Sequence, residues 1–301
     1  MSATPGSIPH WTATVASRDA YDLAEGPVWD APRDRIVWVD INVGRINEGR
    51  LVGDEIRLER TQALDESCGA VAISEAGDML VAGTLGTFVL TAGGERLPGH
   101  AILDGVRDQR LNDGKCDPAG RFIVGSLERS YVPGSEVLVR CEPDGSVKVL
   151  DDDLGLSNGL GWSPDQRTMY SVDSKPGTVW ARPYDAVTGE VGPRRSLIEI
   201  RDGTPDGMCV DAEGHLWIAI WGGSQVRRYT PDGVLAGIVE VASPNVTCPV
   251  FAGPDLDVMV ITSATQELEP ELLAASPDAG KLFVAHVGQH GLPATPWAGR
   301  G

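Results

Sequence analysis

Residues 25–41 read EGPVWDAPRDRIVWVDI. A Glu stands before a Gly-Pro pair, and a short apolar run follows. Pro32-Arg33-Asp34 then breaks the chain, and a second apolar run ends the unit. Pro, Asp and Gly are turn formers, whereas runs rich in Val, Ile and Trp form strands. The stretch therefore predicts two antiparallel strands and a tight connection. A lone hairpin says little about a fold, so the question is whether the frame recurs.

It recurs five times. The later copies are CGAVAISEAGDMLVAGT (68–84), DGKCDPAGRFIVGSL (113–127), NGLGWSPDQRTMYSVDS (158–174), DGMCVDAEGHLWIAIWG (206–222) and CPVFAGPDLDVMVITSA (248–264). Their spacing of about 42–48 residues falls in the range of propeller repeats, roughly 40–50 residues. Between the copies lie further alternating segments with Asp-Gly or Thr-Gly turns, such as SEVLVRCEPDGSVKVL (135–150) and QVRRYTPDGVLAGIV (225–239). That makes about four strands per unit. Helical periodicity is confined to a weak ATQELEPELLAAS (264–276), where a Pro intrudes. The sequence thus predicts an all-β chain, a six-bladed β-propeller of four-stranded antiparallel blades around a central channel. A pair of long β-sandwiches leaves the regular period unexplained. Residues 1–301 are expected to form a single domain, with residues 1–12 a loose N-terminal extension. TATVASRDAYD (12–22) is expected to supply an outer strand, and residues 279–299 to complete the sixth unit.

Composition narrows the function. The formal net charge of −18 argues against nucleic acid and anionic membranes, both polyanionic, and fits a small-molecule or cationic partner. The 42% hydrophobic content supports a large core. Five scattered cysteines with no CxxC pair imply reduced buried thiols and a cytoplasmic protein. The first residues carry neither the basic nor the apolar region of a signal peptide. A monomer or weak homo-oligomer is expected.

The repeat also has a phase. The residue before the first Gly or Pro of each unit is Glu25, Cys68, Asp113, Asn158, Asp206 and Cys248. In a propeller the first strand of each blade lines the channel, so these positions meet around one axis. Carboxylates gathered there repel one another unless a cation sits between them. Carboxylate and amide oxygens suit a hard divalent cation, Ca²⁺ first, with Mg²⁺, Mn²⁺, Zn²⁺ and Fe²⁺ as alternatives. None of the five histidines shares this phase, which weakens a His-rich zinc site. Taken singly, Asp113-Gly114 and Asp206-Gly207 read as hairpin corners, Glu25 as a loop charge and Asn158 as a turn residue bonded to itself. Their common phase favours a shared site. Asp151-Asp152-Asp153 lacks the alternating ligands of an EF-hand loop, and no Gly-x-Ser-x-Gly marks a nucleophile elbow. Trp29, Trp38, Trp162 and Trp217 read as packing between blades, and Cys116 and Cys209 as core.

Four motifs in order, AEGPVWD, RLNDGKCDPAGRF, LSNGLGWSPD and PDGMCVDAEGHLWIA, resemble the gluconolactonase / regucalcin / luciferin-regenerating family. The resemblance runs from about Ala24 nearly to the end. It implies a six-bladed propeller in which Glu25, Asn158 and Asp206 hold one divalent cation. It also implies that Arg110 and Asn112 contact substrate or metal-bound water, with Asp113 on the ring as support or a further water ligand, and so among the substrate-binding residues. Relatives of the animal type carry a substrate-contacting Glu after the NDGK motif. Counting places Ser130 there, with Glu128 two residues earlier.

The activity so implied is metal-dependent hydrolysis of a sugar lactone to its sugar acid, with the cation polarising the carbonyl and Asp206 as ligand and general base. Two other readings stand beside it. One is hydrolysis of another ester, such as a phosphotriester or non-sugar lactone. The other is a calcium-binding propeller without turnover. The acidic composition favours a neutral substrate over a phosphorylated one.

Overall fold

The computed structural model describes residues 8–130 and 134–299. Within them the fold is all-β apart from a 3-10 turn at Ala31–Arg33 and one short helix, Pro270–Ala275. That helix begins at the Pro of the weakly helical segment; Pro at the first helical position gives up no intrahelical bond.

Each of the first four repeats starts a sheet of its own. The first is Ala24–Asp30, Arg35–Asp40, Arg45–Val52 and Glu55–Ala63, all antiparallel. Three further four-stranded sheets begin with Ala70–Ile73, Gln109–Cys116 and Ser157–Trp162. The expectation of six separate four-stranded blades is corrected at this point. The fifth and sixth repeats do not form sheets of their own but share one nine-stranded sheet. They are joined where Trp221, ending Leu216–Trp221, pairs with Asn245, starting Asn245–Ala252. Leu235–Glu240 pairs with Gln225–Tyr229 and that strand with Leu216–Trp221, so Asn245–Ala252 begins beside the strand two in from the one that precedes it.

The chain's beginning also joins this large sheet. His10–Thr12 pairs in parallel with Leu235–Glu240, and Thr14–Val15 pairs antiparallel with Phe283–Ala285. Of the stretch expected to be a loose extension, residues 1–7 lie outside the described residues, and His10–Thr12 is instead tied into the ladder.

The first strands of the six repeats touch in a closed cycle. Ala24–Asp30 meets Ala70–Ile73, which meets Gln109–Cys116; Ser157–Trp162, Thr204–Val210 and Asn245–Ala252 follow, and the last meets the first. Close approach explains the glycine after the ring residue. A Cβ on Gly159 would lie 2.6 Å from the Asp206 carbonyl oxygen, and one on Gly207 would lie 2.7 Å from that of Thr247. Neither glycine has positive φ, so Asn158-Gly159 and Asp206-Gly207 lie in strands and are not hairpin corners.

Hydrophobic clusters fill the spaces between sheets. Val39 and Val81 share one, Val89 and Phe122 another, Ile123 and Trp162 a third. Inner and second strands are therefore covered on both faces, which is why they read as apolar runs. Trp29 and Trp38 pack in one interlayer cluster, Trp162 against Tyr184 and Trp217 against Phe251, as expected of packing residues. All five cysteines are buried and unbonded to one another. Burial pushes the Cys141 and Cys209 thiols up to about 12, which keeps them protonated.

Candidate functional site

The inner strands carry irregularities at one level. Their pairing register slips between Glu25 and Val28, Leu111 and Gly114, Asn158 and Leu160, Pro205 and Met208, and Val246 and Cys248. A bulge inserts an extra residue and re-aims the side chains beside it. Here that happens at the ring positions, and it turns polar side chains out of the strand alternation toward the channel.

A cavity of about 440 Å³ opens at this level, a size suited to a small organic ligand. Glu25, Arg110, Asn112, Glu128, Asn158 and Asp206 contribute to its polar wall, and Ile41, Leu156 and Trp221 to its apolar one. Asp113 is buried but does not reach the wall; its carboxylate accepts the Gly114 N–H at 2.7 Å. The two cysteines of the ring part company. Cys248 is buried, and its thiol donates to the Pro249 carbonyl at 3.7 Å. Cys68 precedes the Ala70–Ile73 strand and packs in the core with Val39 and Val71.

The electrostatics are those of crowded acids. Burial, then the Asp206 and Asp113 charges, pushes the Glu25 carboxyl well above the usual carboxylate range. Burial and then Asp113 do the same to Asp206, opposed by Asn158 and Arg110. Asn158 donates its amide N–H to Ser174 Oγ at 3.1 Å, while its own Oδ1 is buried without a partner. A buried acceptor left unbonded is costly, and it lines the same cavity as the crowded Glu25 and Asp206 carboxylates. Oxygen donors of mixed carboxylate and amide type fit a hard divalent cation, so the residues present fit the ion that the sequence implied.

Arg110 is 4% exposed. Its guanidinium donates to the Leu111 carbonyl at 3.0 Å and to Asn112 Oδ1 at 2.6 Å, and Asn112 donates in turn to the Ser157 carbonyl at 2.9 Å. Burial and then Arg129 pull its pKa down to about 10. Among the described residues no carboxylate lies within 4.0 Å of it. Glu128, rather than Ser130, reaches the cavity. Arg107 holds it at 3.0 Å, and Ser130 Oγ donates to it at 2.9 Å.

Asp211, Glu213 and His215 also cluster within metal-ligating distance of one another. The Arg228 guanidinium already sits there, 2.9 Å from Asp211, 2.8 Å from Glu213 and 3.1 Å from His215 Nδ1. That charge is taken, and the cluster reads as an ion-pair network.

The sequence profile described as the SMP-30/Gluconolactonase/LRE-like region matches residues 23–265. The chain belongs to that family. Regucalcin from Gallus gallus is 35% identical over 296 residues, spanning 93% of this chain and 96% of that protein. Pentonolactonase XacC from Haloferax volcanii is 34% identical over 244 residues, spanning 80% and 81%. Among solved structures, a calcium-binding protein, regucalcin, from Agrobacterium tumefaciens has a TM-score of 0.90 at 29% identity, covering 97% of this chain and 99% of that one. The matched region of the SMP-30/gluconolactonase family takes in all the polar cavity residues named above.

Sequence reading missed several groups. Ser174 orients Asn158, and Trp221 and Ile41 supply an apolar wall; all three stand at the end of the second strand of their repeats, a second phase of the period that the ring positions alone do not reveal. Lys115 lies within NDGK, two residues after Asp113, and the structure places it on the Gln109–Cys116 strand.

Proposed function

We propose that this chain hydrolyses a sugar lactone to the corresponding sugar acid in the 440 Å³ cavity. The observation that carries the reading is the floor of that cavity. Buried carboxylates and the orphaned Asn158 oxygen face an unpaired, buried guanidinium. The name of the pentonolactonase relative supports the substrate class. Glu25, Asn158 and Asp206 would hold one divalent cation, Ca²⁺ foremost, in keeping with the calcium-binding relative. When bound, such an ion supplies a Lewis acid for the lactone carbonyl and the oxyanion that develops on it.

The protein's own groups do the rest. Asp206 accepts the proton of the attacking water from its place in the cavity wall. Arg110 faces the lactone oxygens, and its bond to Asn112 fixes the direction of the guanidinium. Glu128 accepts from sugar hydroxyls at the wall, and Asp113 supports the ring from behind it.

The test is turnover of a panel of aldonolactones and aryl phosphotriesters, with and without chelator. A clear kcat/KM preference for aldonolactones that disappears with chelator is expected. Asp206→Ala should lose both calorimetric Ca²⁺ binding and lactone opening, the latter by at least about 10²-fold. Full activity in that variant, or preference for the phosphotriesters, overturns the proposal. Ca²⁺ binding with no turnover of any lactone favours the second reading, a calcium-binding protein as the Agrobacterium relative is described.

A further inference from the structure

Lys115 has no part in the cavity wall, yet it lies in the same channel. It stands on the Gln109–Cys116 strand of the third repeat. Its ammonium donates to the Leu160 carbonyl at 2.9 Å and to the Met208 carbonyl at 2.9 Å. Those oxygens belong to the inner strands of the fourth and fifth repeats, so one side chain spans three neighbours of the ring. The strands it joins are those that present Asp113, Asn158 and Asp206.

Two carbonyls give an ammonium hydrogen bonds but no opposite charge. The nearby charges are those of the ring. Lys115 is the leading group that offsets the effect of burial on Asp113. Leu160 and Met208 stand two residues beyond Asn158 and Asp206, as Lys115 stands two beyond Asp113, so the ammonium is held one step along the channel from the ring. Arg110 stands at the cavity side of the ring, where it opposes the effect of burial on Glu25 and Asp206. Three carboxylates, Glu25, Asp113 and Asp206, thus share two fixed cations, Arg110 and Lys115.

We propose that Lys115 is a built-in counter-cation of the acidic ring: a positioning residue that lets the ring assemble without an ion and limits how tightly a cation is held. It is anchored through carbonyls rather than through a carboxylate, so its charge is not spent on a private partner. Tethered on the far side of the ring from the cavity, it balances the acids without blocking the ligand oxygens. The part about cation affinity rests on the ion reading above, while the part about assembly does not.

The two parts are tested separately. In chelator, urea midpoints are measured for the unaltered protein, Lys115→Gln, Asp113→Asn and the double variant. Gln can still donate to a carbonyl, so the change removes chiefly charge. Lys115→Gln should lower the midpoint, and the loss should shrink clearly when Asp113 is already Asn, because less negative charge is left to balance. Equal losses in the two backgrounds overturn the proposal and leave Lys115 as a strut between carbonyls. If Lys115→Gln does not fold, recovery of a folded double variant supports the proposal, and failure of both overturns it. With CaCl₂ followed by calorimetry, Lys115→Gln should bind Ca²⁺ roughly tenfold more tightly than the unaltered protein. A strut would leave affinity unchanged or weaken it, and that result overturns the affinity claim. Absence of any Ca²⁺ heat from the unaltered protein refutes the ion reading instead, and the urea cycle still decides whether Lys115 balances the ring.

Discussion

Arg110 combines deep burial, a hydrogen bond to Asn112 and the lack of a carboxylate partner. A buried charge without a partner is expensive, and it persists where a ligand completes it. Arg110→Met keeps the length of the side chain and removes its charge and fork. On the lactonase reading it lowers kcat/KM by about 10²–10³-fold, the range for loss of one oxyanion donor. Ca²⁺ affinity should rise or hold, because a cation has left the neighbourhood of Glu25 and Asp206. Steady-state kinetics beside calorimetry checks both halves; weakened Ca²⁺ binding would instead make Arg110 part of the ion site's scaffold. Arg110→Lys should not rescue, since a point charge cannot reproduce the fork. The phase of the repeat singled out Glu25, Asn158 and Asp206, and all three line the cavity. It could not show that Asp113 is held behind the wall or that Cys68 turns into the core. Those outcomes depend on a bulge and on where a strand begins, and neither leaves a mark at the residue itself.

At the level of strands, glycine sets how near neighbouring repeats can come. Gly159 is tested by Ala. The new Cβ would meet the Asp206 carbonyl at 2.6 Å, a backbone atom that cannot swing aside. A loss of about 1–3 kcal/mol is expected, as for overpacking elsewhere, together with a fall in activity because the strand that moves carries Asp206. Gly93→Ala serves as control: it is exposed, with its nearest neighbour at 3.6 Å, and should stay within about 0.5 kcal/mol. Equal urea midpoints for the two variants would rule out this account of the ring's tightness. The Gly was visible in the sequence, but it read as a turn former, because only the neighbour's carbonyl reveals why a side chain is excluded. Likewise, Glu128 was two positions off by counting; the structure brings it to the wall on Phe122–Glu128, with Arg107 holding it.

For the molecule as a whole, six periodic units were legible, but their division into sheets was not. The period gives one first strand per unit, and these do close a ring. The pairing of Trp221 with Asn245, which fuses the last two units, is a contact between the end of one strand and the start of another and has no periodic signature. The N-terminal strand is bound to this sheet by packing as well as by hydrogen bonds, since Trp11 lies 5.6 Å from Trp217, ring to ring. Trp11→Ala should cost about 2 kcal/mol, less than the 3–5 of a fully buried aromatic because Trp11 is half-buried. The urea midpoint reports it, and an unchanged midpoint would mean that the strand adds nothing to the fold.

His10–Thr12 and Thr14–Val15 lie at opposite ends of the nine-stranded sheet, with partners drawn from late in the chain. Synthesis runs from the N-terminus. The opening strands therefore leave the ribosome and must wait, unpaired, while nearly all the rest of the polypeptide is made. The four smaller sheets have no such debt to the future, since each is built from consecutive strands. The largest sheet is thus the last to be finished, and its outer strands are made before any of the strands they border.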